Sequence, residues 1–483
     1  MVTLLIASIF QVGVLWSVNN EGFTIPFITG AASNPEIGAR PYRQEVELSD
    51  FSSVILNPYR ITISDGGQYT QVVHYLVSRK TELFSVINAR CRAFFDEIIS
   101  IEAETEIPID KWGDLVSERG VLVEYRTAIP QEIVVWLSGR NGAVPGAPAA
   151  ISKLLIIPEE HAGRQTICLY VLTDDSIVKL VSETASYYEI QKIINDNILI
   201  LSGQGGPDAA PPDAVRFMTI NEVGGGIFQN FSPDVFCVVD GPATNAFRRI
   251  KYAAPADVRD KSELESIILT TDMYSYSRSV EYSGDMVFKN ITNIYRLYSG
   301  GLMEYNYLPM VQPADKGGMT KALEHAVIYI MNIERQLLGS ADLILSGIYV
   351  NESDSTYRFT FDYILDDFPV YFYANQTGGP AGGGYTDAIS IHTNANRVVS
   401  CRWMLVDLFF ASESRQFHIY FDRIDVGRSL TKMAVSDIAI AYVVNLTPPE
   451  GLDGGFGEIY NEWPVWAITS PDGVVETVGL SEG

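Results

Sequence analysis

The chain has 483 residues, 47% hydrophobic and 11% aromatic, with 59 acidic against 34 basic side chains and a formal net charge of -25. This composition excludes intrinsic disorder and supplies cores for three or so domains, at roughly 100–200 residues each. The acidic balance repels phosphate backbones and anionic lipid surfaces, which argues against nucleic acid as a partner.

Met1 to Val18 carry no charge, and the first basic side chain is Arg40. A membrane-spanning helix needs about 20 mostly apolar residues, with a lower limit near 17. Val2 to Val18 meets that limit, and Trp16 lies near the outer end, where an indole favours the membrane–water interface. Residues 1–20 therefore read as a transmembrane anchor. A cleaved signal would show a basic leader and a small-residue cleavage site, and a buried soluble element is the third reading. Within the anchor Ser8, Gln11 and Gly13 are the candidate partner contacts. Small residues let helices approach closely in lipid, and Gln11 is costly there unless paired. After Asn20 no window is as long and uncharged, so the rest of the chain is expected on one side of the membrane.

An α+β domain is expected over 30–202. Gln71 to Ile99 reads as a helix, with Leu83, Ile87, Cys91, Phe94 and Ile98 in one apolar stripe. "VLVEY" (121–125), "EIVVWL" (132–137), "KLLIIP" (153–158) and "ICLYVL" (167–172) read as antiparallel strands, and "YYEIQKIINDNIL" (187–199) as a second helix. The Pro- and Gly-rich 203–213 is a linker. A central α+β domain over 214–296 shows "VFCVV" (235–239), a helix near 261–269 and strand-like 284–298.

The last domain, 297–483, carries the strongest pattern. "TKALEHAVIYIMNIERQLL" (320–338) is an amphipathic helix. In "YRFTFDYIL" (357–365) Tyr357, Phe359, Phe361, Tyr363 and Leu365 share one face, while Arg358, Thr360 and Asp362 are expected to face water. "DIAIAYVVN" (437–445) alternates likewise, and Phe368-Pro369-Val370 is matched by Trp463-Pro464-Val465. Two diverged α+β units, about 297–410 and 411–483, are the economical reading; chance similarity of two meanders is the other.

Chemistry is sparse. GxSxG, HExxH, Walker and Rossmann motifs are absent. His74, His161, His325, His392 and His418 share no ligand spacing, and Cys91, Cys168, Cys237 and Cys401 lack zinc spacing. They read as four buried thiols, with two disulfides as the alternative if the chain is exported. "NEVGGGIF" (221–228) and "GGPAGGGY" read as loops. Asp362, Asp366 and Asp367 could suggest a cation site or acid pair, but a strand face followed by a hairpin turn is the plainer reading. No catalytic, cofactor or metal residue is therefore assigned.

Several stretches resemble the YycH regulatory proteins of Firmicutes. "TLLIASIFQVGVLW" resembles their single N-terminal membrane helix, and "RGVLVEYRTAIP" (119–130) a strand pair of their first extracytoplasmic domain. "GGLMEYN" (300–306), the helix after it, "YRFTFDYILDDFPVYF" and "IAIAY … WPVWAI" resemble the region shared with YycI. The resemblance implies a non-enzymatic, single-pass membrane protein with an extracytoplasmic α+β region. It implies as partners a sensor histidine kinase of the WalK (YycG) type and a YycI-like protein, with cell-wall metabolism as the output. Departures are the absence of a basic lead before Val2 and the Gly-rich loops at 375–385 and 448–457. Two alternatives are a secreted PepSY-like inhibitor or chaperone module, and a carboxylate-dependent hydrolase of wall polymer using the Asp362–Asp367 acids.

Overall fold

Nine described strands form the first sheet. They are β1 (Arg60–Ser64), β2 (His74–Leu76), β3 (Thr105–Pro108), β4 (Gly120–Pro130), β5 (Ala150–His161), β6 (Arg164–Leu172), β7 (Ser176–Ser182), β8 (Arg216–Thr219) and β9 (Phe236–Asp240). Their order is β3-β7-β6-β5-β4-β1-β2-β8-β9, with antiparallel neighbours throughout. The computed structural model describes the chain from Leu48 to Glu482 apart from breaks, the longer of which are 202–215, 220–231, 254–263, 310–317, 375–383, 419–433 and 446–459. The expected anchor 1–20, the linker 203–213, "NEVGGGIF" and nearly all of the two Gly-rich loops lie outside the described residues. Contacts divide the chain into Met1–Val46 and Glu47–Gly483, and the second unit is the one described here.

Helices cover one face of this sheet. α1 is Leu48–Ile55, α2 Glu82–Ile98, α3 Gln131–Leu137 and α4 Tyr187–Leu201. The Thr81 hydroxyl accepts the Phe84 N–H at 3.3 Å, capping α2. Phe84, Ile87, Cys91, Phe94, Phe95 and Ile98 then form its buried stripe. Buried Glu97 accepts from the Ser182 hydroxyl at 2.8 Å and the Thr184 hydroxyl at 3.0 Å, tying α2 to the end of β7. The helix expected from Gln71 thus starts eleven residues later, because His74–Leu76 is a strand paired with β1. "EIVVWL" is helical, not a strand. Pro130 with φ -60° presets the entry, Glu132 sits in the first turn, and Ile133, Val134 and Val135 are all buried. Packing against α1 and α2 overrides the β-branched composition.

The C-terminal sheet takes the described strands β11 (Ser277–Val280), β12 (Met286–Lys289), β13 (Asn293–Leu297), β14 (Leu302–Tyr307), β15 (Ala341–Asn351), β16 (Thr356–Leu365), β17 (Phe368–Ala374), β18 (Gly384–Thr386), β19 (Ile389–Thr393), β20 (Val398–Met404), β22 (Asp437–Asn445), β24 (Val465–Thr469) and β25 (Val475–Gly479). α5 (Met319–Leu337) packs on β16, β19 and β20. At the far side of β16, Trp403 Nε1 donates to Tyr363 at 2.7 Å, and Tyr363 OH donates to the Met404 carbonyl at 3.0 Å. A smaller sheet pairs β10 (Asn245–Ala253) with β21 (Asp407–His418) and β23 (Tyr460–Glu462), and β21 with β26 (Ser481–Glu482).

The described strands of 214–296 are therefore shared among three sheets and close none of their own. Of the helix expected near 261–269, Leu264, Glu265 and Ile268 are helical, with Leu264 and Ile268 fully buried. β22 lies directly beside β17, in parallel, so the two alternating stretches, β16 and β22, share one sheet with β17 between them.

The second face of the first sheet is buried as well. Leu122, Leu155, Ile157 and Ile177 pack with Ile438, Ile440, Trp466 and Ile468 of β22 and β24 in one cluster. The packing of β16 corrects the expectation for 357–365. Thr360 is 1% exposed, and Ile364, on the same face, is 0% exposed and clusters with Tyr59 beside β1, so the face expected to meet water looks toward the first sheet instead.

Candidate functional site

Charged residues inside apolar strands build the site. Glu124 stands on β4, opposite Arg60 of β1 and Lys153 of β5 in register. Opposite charges on adjacent strands attract across the ladder. The Arg60 Nε donates to Glu124 at 2.5 Å, and Lys153 Nζ lies 3.1 Å from the other carboxylate oxygen. Beyond Glu124 the β4–β5 register shifts, with pairing resuming only at Ile129. Such a bulge re-aims side chains, and Arg126 falls within it.

Arg126 reaches the C-terminal sheet. Its Nη1 donates to Asp437 at 3.1 Å and its Nη2 to the Tyr371 hydroxyl at 2.5 Å. The guanidinium lies 4.9 Å from the Tyr59 ring centroid and 5.7 Å from that of Tyr371, a geometry that favours a cation. Asp437, the first residue of β22, also accepts from Arg60 at 3.2 Å and from Tyr59 OH at 3.0 Å. One carboxylate thus takes two guanidinium bonds and a phenol, joining the two sheets. Burial opposes the charge on both arginines, yet Glu124 and Asp437 raise the Arg60 pKa, and Tyr371, Tyr59 and Asp437 raise that of Arg126. Burial first, then Asp437, lifts Tyr59 far above its ordinary range and keeps its hydroxyl a donor.

Beside this network opens a cavity of about 320 Å³, between β4 and β5 on one side and β15, β16, β17, β22 and β24 on the other. Its charged lining is Glu124, Asp362, Asp387 and Asp437 with Arg126 and Lys153, and Tyr59, Tyr371 and Tyr385 supply aromatic walls. Asp362 is held by its strand register. Across from it, the β15–β16 pairing shifts between Leu345 and Gly347, so Ser346 bulges toward the cavity. The Ser346 hydroxyl lies 3.1 Å from that of Thr360. Burial pushes the Asp362 carboxyl up to about 6; Arg126 pulls it down, Asp387 pushes it further up, and the Ala388 N–H and Ser346 hydroxyl pull it down. Burial also raises Asp387, against Arg358 and Arg402.

The acids of "DYILDDF" are not gathered. Asp366 and Asp367 make the two-residue turn between paired Leu365 and Phe368, with Asp366 at φ 58°. Asp366 pairs with Lys80 at 2.5 Å and Arg248 at 3.2 Å, and Asp367 accepts the Arg79 N–H at 2.7 Å. Asp362 alone of the three lines the cavity. Ser8, Gln11 and Gly13 lie outside the described residues. Cys91, Cys168 and Cys401 are free and buried. Among the described residues no three His, Cys, Asp or Glu side chains converge as metal ligands, and no helix is long and apolar enough to cross a membrane.

The architecture has a counterpart among solved structures. The crystal structure of YycH from Bacillus subtilis superposes with a TM-score of 0.53, covering 87% of this chain and 95% of that one at 14% identity. The chain has a YycH-like fold. An uncharacterized protein from Eubacterium rectale matches at a TM-score of 0.27 and 11% identity, over 58% of this chain and 94% of its own. No family model and no curated protein matches the sequence.

Of these residues only Asp362 stood out in the sequence, on a strand face expected to meet water. The charges within "VLVEYRT" and "YRITI" were visible signals, since a buried strand tolerates a charge only when it is paired. Asp437, nearly four hundred residues from Arg60, carried no local signal of that partnership.

Proposed function

We propose that this chain is a membrane-tethered, extracytoplasmic accessory protein that tunes a sensor histidine kinase of the WalK (YycG) type, acting by binding and not by catalysis. The observation that carries the reading is the YycH-like fold across 87% of the chain. In this reading residues 1–20 span the membrane and Ser8, Gln11 and Gly13 meet the kinase or a YycI-like partner, with cell-wall metabolism as the output. The tandem C-terminal stretches correspond to the YycI-like region. The hydrolase alternative loses support from the separation of Asp362 from Asp366 and Asp367, both of which serve the turn.

The test is affinity purification from native membranes. The full chain is compared with one starting at Asn19 and exported by a cleavable signal, and co-purifying proteins are identified by mass spectrometry. A sensor kinase recovered with the full chain alone supports regulation through the helix. Failure of both forms to recover a kinase overturns the proposal.

A further inference from the structure

The cavity between the sheets carries more acid than base: four carboxylates against Arg126 and Lys153. Arg126 and Arg60 are committed to Asp437, and Arg60 and Lys153 to Glu124. That leaves Asp362 and Asp387. Among the described residues neither is in ion-pair contact: Arg126 acts on Asp362, and Arg358 and Arg402 on Asp387, from further off, while the Ala388 N–H and the Ser346 hydroxyl donate to Asp362. A carboxylate taken from water without a counter-ion in contact is expensive. A protein that retains one beside an open cavity has a place for a cation.

The cation class follows from the other walls. A divalent metal needs several converging oxygen or imidazole ligands, and no such group is present among the described residues. An organic ammonium needs less: one or two carboxylates, a hydroxyl and aromatic faces. Ser346, Tyr371 and Tyr385 line the cavity with the two acids, and the two tyrosine rings meet edge to face at 6.0 Å. The volume of about 320 Å³ falls at the small end of ligand sites, which suits an amino acid or monosaccharide. We infer that this cavity binds a small organic cation through a primary ammonium group seated between Asp362 and Asp387, against the Tyr371 and Tyr385 rings. A lysine-type side-chain amine and an amino sugar share that chemistry.

Calorimetric titration of the full chain in mild detergent tests this with matched probes. One pair is Nα-acetyl-lysinamide and its Nε-acetylated derivative; the other is glucosamine and N-acetylglucosamine. At pH 7 at least one amine should bind, with the acetylated twin weaker by about tenfold or more, as loss of a charge-assisted contact predicts. The responding pair identifies the source of the amine. Asp362→Asn and Asp387→Asn should each weaken binding by a similar factor. For the wild type, affinity should fall about tenfold between pH 7 and pH 5, since Asp362 gains its proton near pH 6. The wild-type arms decide the matter even if a variant misfolds. No amine binding at millimolar concentration, or binding indifferent to acetylation or to Asp362, overturns the inference. The titration needs no kinase, so its failure and that of the regulatory reading are told apart.

Discussion

Replacing Asp362 with Asn should stabilise the protein at neutral pH and leave it nearly unchanged in acid. Burial raises this carboxyl from an ordinary 3.8 to about 6, with Arg126 only partly offsetting it. A carboxyl raised on folding keeps its proton in the native state over a range where the unfolded chain has lost it. Native stability therefore falls as pH rises from about 4 to about 6 and then levels off. At about 1.4 kcal/mol per pH unit the ionised form costs the fold on the order of 3 kcal/mol. Asn keeps the shape and stays neutral, so it removes that cost. Urea unfolding followed by circular dichroism at pH 4, 5, 6 and 7.5 should show a gain of about 2–3 kcal/mol at pH 7.5, shrinking to nothing at pH 4. A gain equal at every pH would show that the charge is irrelevant. A loss at pH 7.5 would mean that Arg126 stabilises the carboxylate by more than burial penalises it.

Asp437→Ala strips two guanidinium groups and a buried phenol of their shared acceptor. It should cost about 3–5 kcal/mol in the same unfolding assay. Gly120→Ala places a methyl 2.6 Å from the Ile156 carbonyl oxygen, between two central strands. The strands must part slightly, at a cost of about 1–3 kcal/mol, and a variant as stable as wild type would refute that packing. Burial pushes Cys91 up to about 12 and Cys168 to about 11, and raises Cys401 further. Mapped by mass spectrometry at pH 8, these three should resist a thiol reagent in the native protein and react fully in denaturant.

Local periodicity carried much of the fold. The stripe around Cys91 and Phe94, the helix at 319–337 and the alternation from Tyr357 to Leu365 were legible because each pattern reports one face against one core. Where two cores compete, the pattern misleads. Thr360 and Asp362 are polar as a water-facing row would be, yet they look into the junction with the first sheet. "EIVVWL" has strand composition and becomes a helix because three consecutive apolar residues find partners on α1 and α2. The site was not assembled from the sequence, although part of its signal was there. Arg60 and Glu124 announce a buried pair from inside apolar strands, whereas their neighbour Asp437 depends on a contact that only the closed fold creates.

The parallel pairing of β17 with β22, and the antiparallel pairing of β10 with β21 and β23, bear on how this chain is made. A chain delivered from its N-terminus can close the first sheet early, since most of those strands pair with near neighbours in sequence. β10 has to wait until residues beyond 400 emerge, and β17 until 437–445 follow. Such distant pairings are slow to form and leave unpaired strand edges open to aggregation meanwhile. The wall of the cavity that Asp437 completes is thus assembled last. A chain cut short before that residue would keep the Lys80–Asp366 and Arg79–Asp367 contacts but lose the carboxylate that joins Arg60 and Arg126 across the sheets.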